Sequence, residues 1–172
     1  MAEILPDVLD FGLVLVFCGT AASKISARHG AYYANPGNRF WRTLCQVGFT
    51  SSLYEPSEFL NLLDLRIGLT DVAKGKAGVD ADLKRSDFAP GALNAKMLRF
   101  KPQVLAFTSK AAWRAWKNRG AKHSVSWGWQ DETLGGTRIY VLPSPSGAAR
   151  RYWDLDPWLA LADDYQTRMR GN

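Results

Sequence analysis

Soft metal ligands are scarce in this sequence of 172 residues, which contains two cysteines and two histidines. Cys18, Cys45, His29 and His123 show no CxxC or HxxxH spacing, so a four-ligand zinc site or an iron–sulfur cluster lacks its parts. Cys18 lies in an apolar run and Cys45 on the apolar face of a predicted helix, which favours two buried, reduced thiols over a disulfide. We therefore expect a metal-free mechanism.

Long apolar segments are also missing. The stretch 11–18 is too short to span a bilayer, and no charged region precedes a cleavable apolar segment, so we expect a cytoplasmic protein that does not bind membranes. A length of 172 residues with 47% hydrophobic content fits one domain, 1–172. No internal repeat or linker-like segment divides the chain, so binding and chemistry are expected to share that domain.

Acidic residues are fewer than basic ones, 16 against 22, which gives a formal net charge of +6. Such an excess attracts polyanions such as nucleic acid or an anionic membrane surface. By itself it identifies neither.

Three segments have the chemistry of buried strands: residues 12–18 (GLVLVFC), 103–108 (QVLAFT) and 137–142 (TRIYVL). Helical spacing and capping residues predict helices near 38–47, 56–65, 90–98, 109–120 and 156–165. The second of these helices is expected to end near Gly68, and Asp71 is placed in the loop behind it. The charged and glycine-rich segment 73–89 is interpreted as a surface excursion whose lysines either contact phosphate or are simply solvated.

Strands that alternate with helices predict an α/β fold, a three-layer α/β/α domain around a central, mainly parallel sheet. Ligands of such sheets bind at the carboxyl ends of the strands. The loops after Cys18, Thr108 and Leu142 are therefore the predicted site. Ser109 and Lys110, at a predicted helix N-terminus, are candidates for holding a phosphate.

Three further segments carry a resemblance to a known family: FCGTAAS (17–23), YANPGNRFW (33–41) and LPSPSGAARR (142–151). In this order and spacing they resemble the uracil-DNA glycosylase superfamily, closest to its mismatch-specific uracil/thymine branch. The resemblance implies a uracil-DNA glycosylase-like fold and a monofunctional base-excision repair enzyme. Such an enzyme extrudes uracil from DNA and hydrolyses its N-glycosidic bond without a cofactor, as a monomer, on single- or double-stranded DNA.

The first segment departs from that branch, which has Gly-Ile-Asn-Pro-Gly there. Ala21 occupies the position of the Asn, or of an Asp in other branches, that positions the attacking water. Asn38, in the second segment, is our first candidate for that role, and capping of the following helix is an equally weighted alternative. Ser23 and Asp71 are lower-ranked candidates, since each is also typical of a turn.

The resemblance also implies a base pocket. Tyr33 matches the aromatic platform for the extruded base, with an ordinary core tyrosine as the alternative. Backbone N–H groups of Thr20 and Tyr33 would bind the carbonyl oxygens of uracil, and Asn35 would line the pocket. Ser144 replaces an Asn or His found in relatives.

The third segment resembles the loop that enters the duplex and fills the space of the extruded nucleotide. It comprises Ser146, Gly147, Ala148, Ala149, Arg150 and Arg151. Arg150 and Arg151 would contact phosphate or the opposite strand. Because Ala148 stands where relatives often carry a bulkier Leu, we hypothesise a shift towards single-stranded substrate or weaker mismatch dependence. We expect this loop and the turn after the first strand to lie on the same side of the molecule.

Two functions other than that of a glycosylase are considered as alternatives. Ala21 motivates a non-catalytic protein that binds uracil-containing or abasic DNA. A generic nucleotide-binding α/β domain is disfavoured because no Gly-x-Gly-x-x-Gly or Gly-Lys-Ser/Thr motif follows a strand.

Overall fold

The structure is a computed structural model and describes residues 2–171. Its centre is a five-stranded sheet with the order β2-β1-β3-β5-β4, in which only β4 runs antiparallel to its neighbour. The strands are β1 (Leu15–Ala21), β2 (Ile67–Ala73), β3 (Val104–Phe107), β4 (Gly128–Leu134) and β5 (Thr137–Val141). Within the described range, no helix combines the length and the apolar character needed to span a membrane.

Helices connect and cover the strands. The α-helices are α1 (Lys24–His29), α2 (Phe40–Val47), α3 (Pro90–Phe100), α4 (Lys110–Trp116) and α5 (Asp156–Arg170). Segments of 3₁₀-helix span Pro56–Leu65, Asp80–Asp82, Arg85–Asp87 and Gly147–Tyr152.

Side chains of β1 alternate between two cores because successive residues of a strand point to opposite faces. Phe17 packs with Phe40 of α2 and Trp158 of α5, whereas Val16 belongs to a second cluster with Leu93 of α3 and Trp113 of α4. Helices thus cover both faces of the sheet. The predicted three-layer α/β/α architecture with a mainly parallel sheet is confirmed.

The first strand begins and ends later than predicted. It spans Leu15–Ala21 rather than 12–18, so Thr20 and Ala21 lie on the strand and not in a loop beginning at Gly19. The carboxyl end of β1 therefore carries the first family segment directly.

The placement of Asp71 in a loop was wrong, since it lies in β2. Gly68 suggested a helix end, but the preceding 3₁₀-helix ends at Arg66, which adopts a left-handed φ of 57°. Gly68 instead allows the backbone at Val8 to lie close to β2. A Cβ on residue 68 would lie 2.5 Å from the backbone oxygen of Val8, which forms a bridge with Leu69. Asp71 consequently has a fixed position beside β1.

Two other predictions needed correction: residues 147–152 form a 3₁₀-helix where a loop was expected, and the helix expected to reach Gly120 ends at Trp116. The elements α1, β2 and β4 were not predicted. Both cysteines are free, as expected, but Cys45 is only partly buried.

Candidate active site

A cavity of about 920 Å³ lies at the carboxyl ends of the parallel strands, and we call it the central cavity. It brings together the turn after β1 and the 3₁₀-helix Gly147–Tyr152, on one side of the molecule. Most of the predicted site residues line it: Thr20, Ser23, Tyr33, Asn35, Asn38, Asp71, Ser109, Lys110, Ser144, Ser146, Gly147, Ala148 and Ala149. Arg150 and Arg151 do not line it.

Asp71 presents the most unusual side chain of the central cavity. It is 6% exposed, and within residues 2–171 no group donates a hydrogen bond to its carboxylate. Burial raises the pKa of Asp71 to about 6, because the charged form loses hydration. A buried, unpartnered carboxylate in a cavity is a candidate for proton transfer near neutral pH.

Gly19 provides the space in which polar atoms converge. A Cβ on Gly19 would lie 2.6 Å from Oδ1 of Asp71, 3.3 Å from the hydroxyl of Tyr33 and 3.6 Å from Oγ1 of Thr108. The Tyr33 hydroxyl and Thr108 Oγ1 are hydrogen bonded at 3.2 Å. Glycine at this position thus permits three oxygen atoms from three parts of the chain to approach one another.

Two cations lie behind Asp71. Lys74 Nζ lies 3.1 Å from Asp7 Oδ1 and donates a 2.9 Å hydrogen bond to the Tyr32 hydroxyl, while Lys96 pairs with the other oxygen of Asp7. Although burial acts in the opposite direction, Lys74 and Lys96 hold the pKa of Asp7 below its usual range. The charge of Lys74 also lowers the pKa of Asp71, partly opposing the effect of burial.

Tyr33 forms a two-ring stack with Phe40, with centroids 3.9 Å apart and planes 21° apart. Its backbone has a left-handed φ of 53°, which costs an aromatic residue roughly 1–3 kcal/mol. The ring stack and the hydrogen bond to Thr108 hold this conformation. Phe40 is fully buried, whereas Tyr33 is partly exposed and lines the central cavity.

Asn38 and Ser23 both bond to the backbone of a following helix. Asn38, which precedes the N-cap residue Arg39 of α2, accepts a 2.9 Å hydrogen bond at Oδ1 from the Phe40 N–H, and its amide NH₂ remains as a donor. Ser23 Oγ accepts from the Ser26 N–H at 3.0 Å and donates to Ser26 Oγ at 3.1 Å. Each side chain has thus committed part of its hydrogen-bonding capacity to the backbone.

The second and third family segments touch. Arg39 N–H donates to the Pro145 carbonyl at 2.8 Å, and a Cβ on Gly147 would lie 3.1 Å from the carbonyl oxygen of Gly37. Ser144 Oγ accepts from the Ser146 N–H at 3.2 Å. The two segments therefore form one continuous wall of the central cavity.

One part of the wall of the central cavity is basic and aromatic. Lys110 Nζ lies 4.7 Å from the ring centroid of Trp127, and Arg114 lines the same region. Ser109 Oγ accepts from the Ala112 N–H at 3.0 Å and so caps α4. Ser109 is thereby engaged in the helix cap, whereas Lys110 and Arg114 bring positive charge to the cavity wall.

Residues 6–162 match the sequence profile of the uracil DNA glycosylase superfamily. The chain belongs to that superfamily. Its structure is similar to the solution NMR structure of "a putative Uracil DNA glycosylase from Methanosarcina acetivorans", with a TM-score of 0.66 and 25% sequence identity. The match covers 94% of this chain and 96% of the archaeal one. A superfamily of DNA glycosylases implies hydrolase chemistry on DNA.

Ala21 lies at the end of β1 and lines the central cavity with a methyl group. Across residues 2–171, no group of three or more His, Cys, Asp or Glu side chains is arranged to hold a metal ion. The buried acidic side chain of the cavity, Asp71, is the register partner of Gly19, two residues before Ala21 on β1.

Several cavity residues were missed from the sequence. Gly78, Val79, Asp80 and Ala81, in the segment interpreted as a surface excursion, form part of the cavity wall. The Gly78 N–H donates to the Ala22 carbonyl at 2.9 Å, which fastens this segment to the turn after β1. Thr108, Trp127 and Tyr152 also line the cavity, and none belongs to a family segment that would have identified it.

Proposed function

We propose that this protein is a monofunctional DNA glycosylase that hydrolyses the N-glycosidic bond of uracil extruded from DNA and leaves an abasic site. The observation that supports this proposal best is the buried Asp71 carboxylate, which accepts no hydrogen bond within residues 2–171 and lines the same cavity as the partly exposed residue Tyr33. A cavity of about 920 Å³ accommodates an extruded nucleotide together with part of its backbone.

Uracil stacks on the cavity face of Tyr33, whose other face is supported by Phe40. Base–aromatic stacking contributes about 1–3 kcal/mol. By likeness to the superfamily, the backbone N–H groups of Thr20 and Tyr33 bind the carbonyl oxygens, with Asn35 and Ser144 at the edge of the base. These neutral donors stabilise the negative charge that develops on uracil as the bond breaks.

Asp71 activates the water. The C1′–N1 bond breaks and its electron pair leaves with N1 of uracil. The water oxygen then bonds to C1′ of the oxocarbenium-like sugar, and Asp71 accepts the proton of that water. An ionised carboxylate also stabilises the positive charge on the sugar. This assignment replaces the order expected from the sequence, in which Asn38 came before Asp71.

Asn38 has a different task in this proposal. A water that attacks C1′ needs a hydrogen-bond acceptor to orient it, and the Phe40 N–H already occupies one of the two lone pairs of Asn38 Oδ1, whereas no group donates to the Asp71 carboxylate within residues 2–171. Its remaining NH₂ group donates to the base. Ser23 is a helix cap that lines the cavity without a catalytic task.

Contacts to the DNA backbone come from the exposed Arg150 and Arg151, and from Lys110, which lines the cavity. Ala148 is exposed on the 3₁₀-helix and offers only a methyl group to the gap that an extruded nucleotide leaves. The proposal therefore includes activity on single-stranded DNA and weak dependence on a mismatch.

The test is formation of alkali-sensitive abasic sites in one uracil-containing sequence, presented as a single strand, opposite adenine and opposite guanine. We expect turnover on all three substrates, with at most a few-fold preference for guanine. A strong preference for the mismatched duplex would contradict the proposed strand preference. Tight binding without base release would reject the enzyme and favour the DNA-binding alternative that Ala21 motivates.

A further inference from the structure

Tyr152 is an exposed aromatic residue at the rim of the central cavity. It ends the 3₁₀-helix Gly147–Tyr152 and is 65% exposed, more than any other large apolar residue in the described part of the chain. It nevertheless lines the cavity together with Ala148 and Ala149. Most large apolar side chains with such exposure, such as Phe11, lie away from this cavity.

The Tyr152 ring has no aromatic partner among residues 2–171, and its hydroxyl makes no hydrogen bond there. The Arg151 guanidinium lies 5.8 Å from its ring centroid. The neighbouring Trp153, in contrast, contacts Trp158 and the guanidinium of Arg39. The Tyr152 side chain therefore makes no aromatic contact or hydrogen bond with the described part of the core, and its ring is available to a ligand.

We propose that Tyr152 stacks on the nucleobase that flanks the extruded nucleotide on the same DNA strand. This inference rests on the proposed function, because it assumes that the central cavity receives a nucleotide. A ring at the rim of that cavity is adjacent to the next base of the strand, and aromatic faces stack on any base. Ala148, with one methyl group, cannot supply such a surface.

Charge around Tyr152 favours nucleic acid over an apolar protein partner. Arg150 and Arg151 precede it, both are exposed, and neither forms an ion pair with another described residue. Arginines beside an exposed aromatic ring are the combination that binds the backbone and bases of single strands. Stacking within one strand requires no complementary strand, so it operates on single-stranded and duplex DNA alike.

The experiment measures binding to DNA that contains a tetrahydrofuran abasic-site analogue, with the fluorescent base 2-aminopurine beside it on the same strand. Tyr152→Ala is compared with Tyr152→Phe, which keeps the ring, and with Phe11→Ala. Phe11 is 63% exposed, lies before β1 and does not line the cavity, so it is the matched control. Fluorescence anisotropy gives the affinity, and 2-aminopurine quenching reports the stacking.

We expect Tyr152→Ala to lose affinity about 5- to 150-fold for both single-stranded and duplex probes, together with the quenching. Tyr152→Phe and Phe11→Ala should match the parent. Unchanged affinity and quenching in Tyr152→Ala would overturn the inference, as would a loss confined to the duplex. Base release is measured separately: a parent that binds and quenches without releasing uracil would reject the glycosylase and retain the stacking.

Discussion

Asp71 and Gly19 are register partners on the adjacent strands β2 and β1, and Asp71 Oδ1 lies 2.6 Å from the position of a Cβ on Gly19. The carboxylate therefore occupies space that only glycine leaves free. Because both residues belong to buried strands, their relative position is set by the sheet and not by a loop. The pairing of β1 with β2 thus positions the carboxylate that we propose to be catalytic.

Gly19→Ala should displace the Asp71 carboxylate and reduce the base-release rate by about 100-fold, since a shift of about 1 Å in a reacting group has effects of that order. Gly91→Ala is the control, because nothing lies within 4 Å of a Cβ at that position. Single-turnover rates and thermal unfolding of both variants check the prediction. A Gly19→Ala protein that is folded and fully active would show that the close approach has no part in catalysis.

The pH dependence of kcat/KM should report the ionisation of Asp71. Burial raises its pKa to about 6, so the base form is depleted below that pH and kcat/KM should rise about tenfold per pH unit up to about 6, then level off. Measurements from pH 4.5 to 8.5 on uracil-containing single strands provide the profile. A profile that is flat through pH 6 would contradict a basic role for this carboxylate.

Lys74→Met should move that profile to higher pH. Lys74 lowers the pKa of Asp71, so its loss leaves the raising effect of burial less opposed. Lys101→Met, which removes an exposed lysine beyond α3, is the control and should leave the profile in place. An unchanged or lowered midpoint in Lys74→Met would show that Lys74 does not act on Asp71.

Asp71→Asn should stabilise the fold above pH 6. An aspartate whose folded pKa of about 6 exceeds its unfolded value of 3.8 contributes stability below pH 4, and that contribution is lost as the pH rises through 6. The shift corresponds to on the order of 3 kcal/mol. Guanidinium unfolding at pH 4 and pH 8 should show a gain for Asp71→Asn that is larger at pH 8. Asp131→Asn, at an exposed position, should show none.

The sequence predicted the layers of the fold because strands buried on both faces are continuous apolar runs, as in 12–18 and 103–108, and amphipathic helices repeat apolar residues at spacings of three and four. It misplaced Asp71 because Gly68 resembles a helix end, whereas the glycine is needed where the segment of Val8 crosses β2. This contact joins residues that are far apart in the sequence, so a local sequence pattern does not predict it.

The predicted site residues were largely brought together, since two of the family segments follow strands of the sheet and the third packs against one of them. Their individual roles were less predictable, because the local sequence does not show which side chains bond to the backbone. Asn38 Oδ1, for example, accepts a 2.9 Å hydrogen bond from the Phe40 N–H. Val79 and Tyr152 were missed for a related reason, since exposure at a cavity rim depends on tertiary structure.

The central claim, that Asp71 activates the water, is tested most directly by the single-turnover rate of uracil release for Asp71→Asn beside Asn38→Ala and Ser23→Ala. We predict a loss of about 100- to 10,000-fold for Asp71→Asn, the range typical of general base catalysis, with losses of about tenfold or less for the other two. A folded Asp71→Asn protein that releases uracil at nearly the parent rate, while Asn38→Ala is inactive, would contradict the account.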